Sequence, residues 1–420
     1  MFAKVRRIPI PLSMERKAHV HTFLPIWYNL YMLRGLKYRL YPTEEQEHLL
    51  GRAFGCARYA YNWAIDERQS AYKRGEKTPS KFDLDVRMTK LKNDLPWLND
   101  VSDWVLKESI ADAVRAYDNF FEHRAMFPRF KRKGSSVQSA RWRRPVPKGK
   151  NHVMIPKVGV MRFREHRPLE GVIKTVTISK SSSGRYHISF LVDDGMDKCE
   201  KPEVVADSIG IDVGLADFAT LSTGEKVLNP HFAKRHERRI NGLQRKLARQ
   251  KKGSNRYDVT KQKLAREHER VACERRAFLH ELSTRLVREN QAIAVEDLNV
   301  SGMLKNHKLA NAISDVSWSE FFGMLEYKCE WYGVHLMKCD RWEPTSKTCS
   351  ECGHRMGRMP LSVRSWVCPE CGTLHDRDVN AAMNILSAAS VEYGRGGQVS
   401  PPQRGTARRS VKPSALAVGR

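Results

Sequence analysis

The sequence predicts a multidomain α+β protein: a mainly helical region, a small β domain, and an α/β unit that carries a four-cysteine module. Three observations lead there. The chain has 420 residues, enough for about three domains. Its hydrophobic periodicity changes from helical to alternating near Pro128. Four of its nine cysteines fall into two Cys-x-x-Cys pairs near the C-terminus. An apolar content of 41% supports packed cores and excludes a disordered polymer. The net charge of +27 points to a polyanionic partner, with nucleic acid ahead of an anionic membrane surface. The most apolar stretch, Phe23–Leu33, is about half a bilayer span and is broken by Pro25 and Asn29. With no signal-peptide pattern either, the expectation is a cytoplasmic, nucleoid-associated protein.

The elements follow in order. Pro9, Pro11 and Pro25 interrupt residues 1–32, which read as an extension outside the fold, with Met32 as a candidate start. Leu36–Tyr41 alternates like a strand, and Pro42 ends it. Thr43-Glu-Glu-Gln46 reads as a capping box, and Leu49, Leu50, Ala53, Phe54, Ala57, Ala60 and Ala64 continue one helical face. Ser102 is expected to cap a second clear helix, so 43–125 forms the helical region. Between Arg129 and Asn151 there are nine Lys/Arg and no acid, with Phe130 and Trp142 interleaved. This stretch is either a solvated loop or a nucleic-acid surface, and its aromatics either stack on bases or anchor the loop. Alternating runs at Val153–Ile155, Val160–Phe163, Ile173–Ser179 and Tyr186–Val192 predict the β domain, spanning 33–42 plus 126–203. The third unit begins near residue 204. Its strand Ile209–Leu215 holds one acid, Asp212, and Ala292–Val295 leads into Glu296 and Asp297. Between them, residues 231–290 form a basic helical pair with eighteen Lys/Arg against seven acids. Its leucines Leu243, Leu247 and Leu264 suit a hairpin seam. The unit runs through 342, is interrupted at 343–375 by the cysteine module, and ends at 376–392 with a helix opened by Asp378. A Gly/Pro/Arg-rich tail, 393–420, is expected to be disordered.

Cys349-x-x-Cys352 and Cys368-x-x-Cys371 have the spacing of two knuckles presenting four thiolates to one tetrahedral Zn²⁺. A filled thiolate shell makes the site structural. The five remaining cysteines read as small buried apolar residues. Asp212 in an apolar strand needs a compensating cation, and Asp212, Glu296 and Asp376 or Asp378 can converge at a sheet edge to hold one or two Mg²⁺. Read alone, the same acids suit a turn, a strand end and a helix cap equally well.

The ordered motifs Ile209-Gly-Ile-Asp-Val-Gly-Leu215, Val295-Glu-Asp-Leu-Asn-Val300, the paired Cys-x-x-Cys, and Asp376-Arg-Asp-Val-Asn-Ala-Ala-Met-Asn-Ile385 resemble those of the TnpB family. Lys37-Tyr-Arg-Leu-Tyr-Pro42 and Phe127-Pro-Arg-Phe-Lys131 add to the match. The family comprises transposon-encoded RNA-guided endonucleases, long described as OrfB transposases and related to type V CRISPR effectors. The resemblance covers about Leu33 to Ala388. It implies a RuvC-like nuclease core of the RNase H type, a helical recognition domain, a β-barrel-like wedge domain and a zinc ribbon. The implied catalytic, Mg²⁺-binding residues are Asp212, Glu296 and Asp378. The acid directly before x-Asn-Ala-Ala selects Asp378 over Asp376, and Asn380 is expected to orient it. The implied partners are a guide RNA from the transposon end and double-stranded DNA with a short adjacent motif, held by a monomer without a membrane. Arg129, Lys131, Arg132, Lys133, Arg141, Arg143 and Arg144 are the candidate nucleic-acid contacts. The alternatives are a non-catalytic zinc-ribbon regulator of transposition and a protein-only transposase or resolvase.

Overall fold

The computed structural model describes residues 33–395 apart from 135–137, 196–198 and 361, with the backbone alone at 392–395. The expected extension and the tail beyond 395 lie outside the described residues. The described residues start with β1 (Leu33–Tyr41), α1 (Glu44–Lys73), α2 (Lys81–Asp94) and α3 (Asp103–Phe121). Six strands follow: β2 (Gln138–Arg143), β3 (Val146–Pro147), β4 (His152–Ile155), β5 (Gly159–Arg164), β6 (Val172–Lys180) and β7 (Tyr186–Asp193). The capping box at α1 forms as expected, with Thr43 and Gln46 bonding each other's backbone amides. Ser102 sits at the N-cap of α3 but makes no side-chain cap bond.

The first sheet has seven antiparallel strands in the order β2-β6-β7-β1-β5-β4-β3. The expected barrel does not close. Its end strands β2 and β3 do not pair, because β3 is two residues long and α1 and α3 pack beside β2. Tyr38, Leu40, Trp142, Ile178, Ile188 and Phe190 from one sheet face join Leu50, Phe54, Ile65, Leu106 and Ile110 from the helices in a single core. The helical and β regions are thus one packing unit. Alternation puts polar residues on the other face: cross-strand partners Arg39, His187 and Arg164 lie side by side. β2 emerges inside the basic stretch, and Trp142, 1% exposed, anchors it to the core.

The second unit is built from β8 (Ser208–Val213), β9 (Asp217–Leu221), β10 (Lys226–Leu228), α4 (Phe232–Ala248), α5 (Asn255–Glu289), β11 (Ala292–Glu296), α6 (Val300–Met303), α7 (Ala310–Val316), α8 (Trp318–Tyr332), β12 (His335–Cys339), β13 (Ser365–Val367), β14 (Leu374–Asp376) and α9 (Arg377–Arg395). Its sheet runs β10-β9-β8-β11-β12, or 3-2-1-4-5 in chain order. The first three strands are antiparallel, and β8, β11 and β12 are parallel. Both faces are covered, which explains the unbroken apolar run of β11. Leu279, Leu282, Phe321 and Leu325 of α5 and α8 pack on one face. Ile385 and Ala389 of α9 pack on the other against Ala292, Ala294, Met337 and Cys339. α9 continues to Arg395, three residues into the expected tail.

α4 and α5 form the expected hairpin, but its seam is part polar. Glu267, 3% exposed, accepts His236 Nδ1 at 2.9 Å and pairs with Arg239 and Arg270. Cys56, Cys329 and Cys339 are buried as expected, whereas Cys199 and Cys273 are exposed.

Candidate active site

Asp212 and Glu296 stand side by side. Val295 on β11 is in register with Ile211 on the parallel β8, so the two acids occupy the next step on adjacent strands. Alternation fixes their direction. Ala292 and Ala294 face α9, and Glu296 shares their parity; Gly210 faces α9, and Asp212 shares its parity. Both carboxylates therefore sit at the carboxyl end of their strands on the α9 side.

Gly210 sets how close α9 comes. A Cβ built on Gly210 would lie 2.0 Å from the Ala382 carbonyl oxygen and 2.9 Å from Leu386 Cβ. Asp378 is four residues before Ala382, on the same helix face about one turn, ~5.4 Å, nearer the N-terminus. Asp212 is two residues beyond Gly210 along β8. The close crossing therefore brings the first turn of α9, with Asp378, over the strand end that carries Asp212.

The electrostatics record this convergence. Burial, then the Asp378 and Glu296 carboxylates, push the Asp212 carboxyl up to about 7, with Arg377 partly offsetting them. Burial and the neighbouring Asp297 also raise Glu296. Asp378 faces Arg364, whose guanidinium nitrogen lies 3.5 Å from both carboxylate oxygens. Beyond Glu296, on the α8 face of the sheet, a cleft of about 310 Å³ is lined by Asp297, Asn299, Phe322 and Lys338 among others. The three acids form an all-oxygen donor set, which suits a hard divalent cation.

The neighbouring acids have other partners. Asp376 is the cap of α9: one oxygen accepts the Asp378 and Val379 amides at 3.0 and 3.2 Å, and the other accepts Lys226 Nζ at 2.7 Å. Despite partial burial, these contacts hold its carboxyl below the ordinary range. Asp297 pairs with Arg341. Asn380 does not bond Asp378. Its oxygen accepts the Ser350 amide at 2.9 Å and its nitrogen donates to the Thr348 carbonyl at 2.8 Å, joined there by Asn384 at 2.6 Å. Asn380 thus clamps the cysteine loop to α9.

That loop holds Cys349, Cys352, Cys368 and Cys371 with their sulfurs within 4.8 Å of one another. Among the described residues this is the one group of three or more ligating side chains drawn so close, and the acids are spread more widely. The Cys349–Cys371 and Cys352–Cys368 sulfurs are 3.6 Å apart. Zinc–sulfur bonds of about 2.3 Å in a tetrahedron separate sulfurs by ~3.8 Å, so the cluster fits Zn²⁺. Hydrogen bonds with Thr373, whose hydroxyl oxygen lies 3.2 Å from the Cys371 sulfur, bring the Cys371 thiol down to about 6. His375, which the sequence leaves without a role, lies buried with Nε2 3.0 Å from Cys349 Sγ and its ring against Trp366.

Comparison with known proteins gives three family-model matches: "Helix-turn-helix domain" at 32–77, "Probable transposase" at 187–307 and "Cas12f1-like, TNB domain" at 318–385. A Streptomyces pristinaespiralis protein named "Putative RNA-guided DNA endonuclease" is 42% identical over 90% of this chain and 95% of its own length. The chain belongs to the TnpB family. Another relative in the family, the Escherichia coli protein named "Putative RNA-guided DNA endonuclease InsQ", is 32% identical over 85% of this chain and 92% of its own. A solved Cas12f1–guide RNA–target DNA complex overlays 84% of this TnpB-family chain and 98% of its own protein at 14% identity, with a TM-score of 0.46.

In this TnpB-family protein the seven candidate nucleic-acid contacts divide. Arg129, Arg132, Lys133 and Arg144 are exposed, and Lys131 and Arg143 are exposed as well, with partners on the protein. Lys131 lies over the Tyr61 ring, 3.9 Å from its centroid. Arg141 and Arg143 turn to α3, where they pair with Glu108 at 3.4 and 2.5 Å, and Arg141 also with Asp112 at 3.1 Å. Sequence reasoning passed over Gly210, Lys226, Arg364 and Arg377. The one signal available was the unusual glycine at the centre of an apolar strand.

Proposed function

We propose that the protein is an RNA-guided DNA endonuclease whose cutting site is Asp212, Glu296 and Asp378. The observation that carries this reading is the gathering of those three acids at one end of a 3-2-1-4-5 sheet, where burial first, and then the Asp378 and Glu296 carboxylates, push Asp212 up to about 7. That strand order suits an RNase H-type, RuvC-like core, and the relatives' names supply the RNA-guided chemistry. Mg²⁺ bound by the acids, two ions in the full site, would lower the pKa of an attacking water and stabilise the leaving oxygen.

The chain's own groups divide the remaining work. Asp212 and Glu296 are fixed by strand register. Asp378 is placed by the α9 crossing, and Asp376 caps that helix and stays out of the metal shell. Arg364 supplies a positive group at the Asp378 carboxylates, where a substrate phosphate would arrive. Zn²⁺ held by the four cysteines would stabilise the 343–375 module as a ribbon, and Asn380 ties that module to the helix bearing Asp378. Residues 33–203 are the recognition part, with the exposed Arg129, Arg132, Lys133 and Arg144 near its helical end. The charge of +27 suits both a transposon-end guide RNA and the RNA–DNA heteroduplex, read by shape rather than sequence. The test is retargeting. Protein loaded with RNA carrying a chosen guide should cut a plasmid holding the matching sequence and its adjacent motif, and should stop when Mg²⁺ is chelated. Cutting that ignores the guide would favour a protein-only nuclease, and binding without cutting a regulator.

A further inference from the structure

We propose that Trp342 is a stacking platform for an unpaired base of the DNA strand held at the acidic site; this rests on the endonuclease reading. The indole is 83% exposed, whereas Trp142, Trp318 and Trp366 are buried. Nothing in its own turn shields it, and hydrogen bonds to Asp340 close the turn. The Glu343 amide donates to the Asp340 carbonyl at 3.1 Å, and the Trp342 amide to the Asp340 carboxylate at 3.0 Å.

Both flanks of this turn are tied to the elements that carry the acids. On one side, Arg341 pairs with Asp297, the residue directly after Glu296, and the Asp297 amide donates to the Cys339 carbonyl at 3.0 Å. On the other, the Thr345 and Thr348 carbonyls accept hydrogen bonds from Asn380 and Asn384 of α9, the helix of Asp378. Trp342 therefore stands at the rim between the Glu296 strand end and the Asp378 helix. An exposed aromatic ring on a hydrogen-bonded turn suits the π-face of a base, and every base has one, so the contact is sequence-tolerant. A site that must accept any strand specified by a guide needs that tolerance. Paired bases already have both faces stacked, which restricts the occupant to an unpaired one.

The test reads binding alone, so its outcome is separate from whether the protein cuts. Fluorescence anisotropy compares a short labelled oligothymidylate with an abasic strand of the same length and charge, at salt high enough to suppress backbone attraction. W342A and W342L should each lose about 5- to 150-fold in affinity for oligothymidylate and nothing for the abasic strand, while W342F keeps most of the binding. Unchanged melting temperature and zinc content establish that the variants are folded. Oligothymidylate binding that survives W342A, equal losses on both strands, or a W342F as weak as W342A would overturn the proposal.

Discussion

Gly210→Ala tests how the site is assembled. The new methyl would sit 2.0 Å from a backbone oxygen of α9, whereas ordinary contact begins near 3.4 Å. The neighbour is main chain within a helix, so no side chain can swing aside. Helix and strand must separate by about 1.4 Å, the difference between those two distances. Asp378 rides on the same helix face and moves with it. Overpacking of this kind costs ~1–3 kcal/mol of stability, and a misplacement near 1 Å at a catalytic group costs about 100-fold in rate. The assay is single-turnover cleavage of a guided target, with the melting temperature taken in parallel. The expected result is a folded protein, destabilised by a few degrees, that retains its RNA and zinc and cuts about 100-fold more slowly. Gly242→Ala is the matched control. Gly242 is a helix-interior glycine in α4 with nothing within 4 Å of the added Cβ, so alanine there should raise stability by ~0.5–1 kcal/mol and leave cutting unchanged. Wild-type cleavage and melting by Gly210→Ala would refute the close-crossing argument.

Other outcomes follow from the same geometry. Arg141→Ala with Arg143→Ala should strand the buried Glu108 and cost ~3–5 kcal/mol, and adding Glu108→Gln should recover much of it; thermal melts of the full cycle check this. Asn380→Ala removes a buried clamp and should cost ~1–3 kcal/mol while hastening zinc loss to a chelator, followed with a colorimetric zinc indicator. Because the folded Asp212 carboxyl titrates near 7, above its ordinary value, the folded state holds a proton that the unfolded state has lost. The cation-free protein should therefore lose stability as pH rises from about 4 to 7. Asp212→Asn should raise its melting temperature at pH 8 and do little at pH 4, and Mg²⁺ should stabilise wild type more than this variant.

Much of this was legible in the sequence, for physical reasons that differ by element. Short-range rules found the Thr43 capping box, the alternating strands β4 to β7, and the cysteine pairs, since each is decided by neighbours a few residues apart. β2 was missed, although Ala140 and Trp142 alternate with Ser139, Arg141 and Arg143, because the high charge of the stretch suggested a loop. The pairing of Arg141 and Arg143 with Glu108 depends on α3 lying beside β2, a contact between residues some thirty positions apart. The open sheet depends on helices covering the β2 edge, which strand patterns do not encode. Asp212 and Glu296 stood out as single acids on apolar strands. Their alignment is a matter of strand register, and the role of Gly210 appears only once α9 is laid across it. Asn380 sits in the motif that suggested a partner for Asp378, but three-dimensional placement gives it to the cysteine loop instead.

The most direct test of the central claim is guided cleavage in Mg²⁺ by five single variants measured side by side: Asp212→Ala, Glu296→Ala, Asp378→Ala, Asp297→Ala and Asp376→Asn. The first three should cut orders of magnitude more slowly with RNA and target binding intact, since binding rests on distributed charge and cutting on ligands that act as a unit. Asp297→Ala and Asp376→Asn should keep substantial activity, the asparagine preserving the acceptor that caps α9. An active Asp378→Ala beside a dead Asp376→Asn would contradict the assignment of the third acid. Cutting by all of the first three would contradict the nuclease site itself.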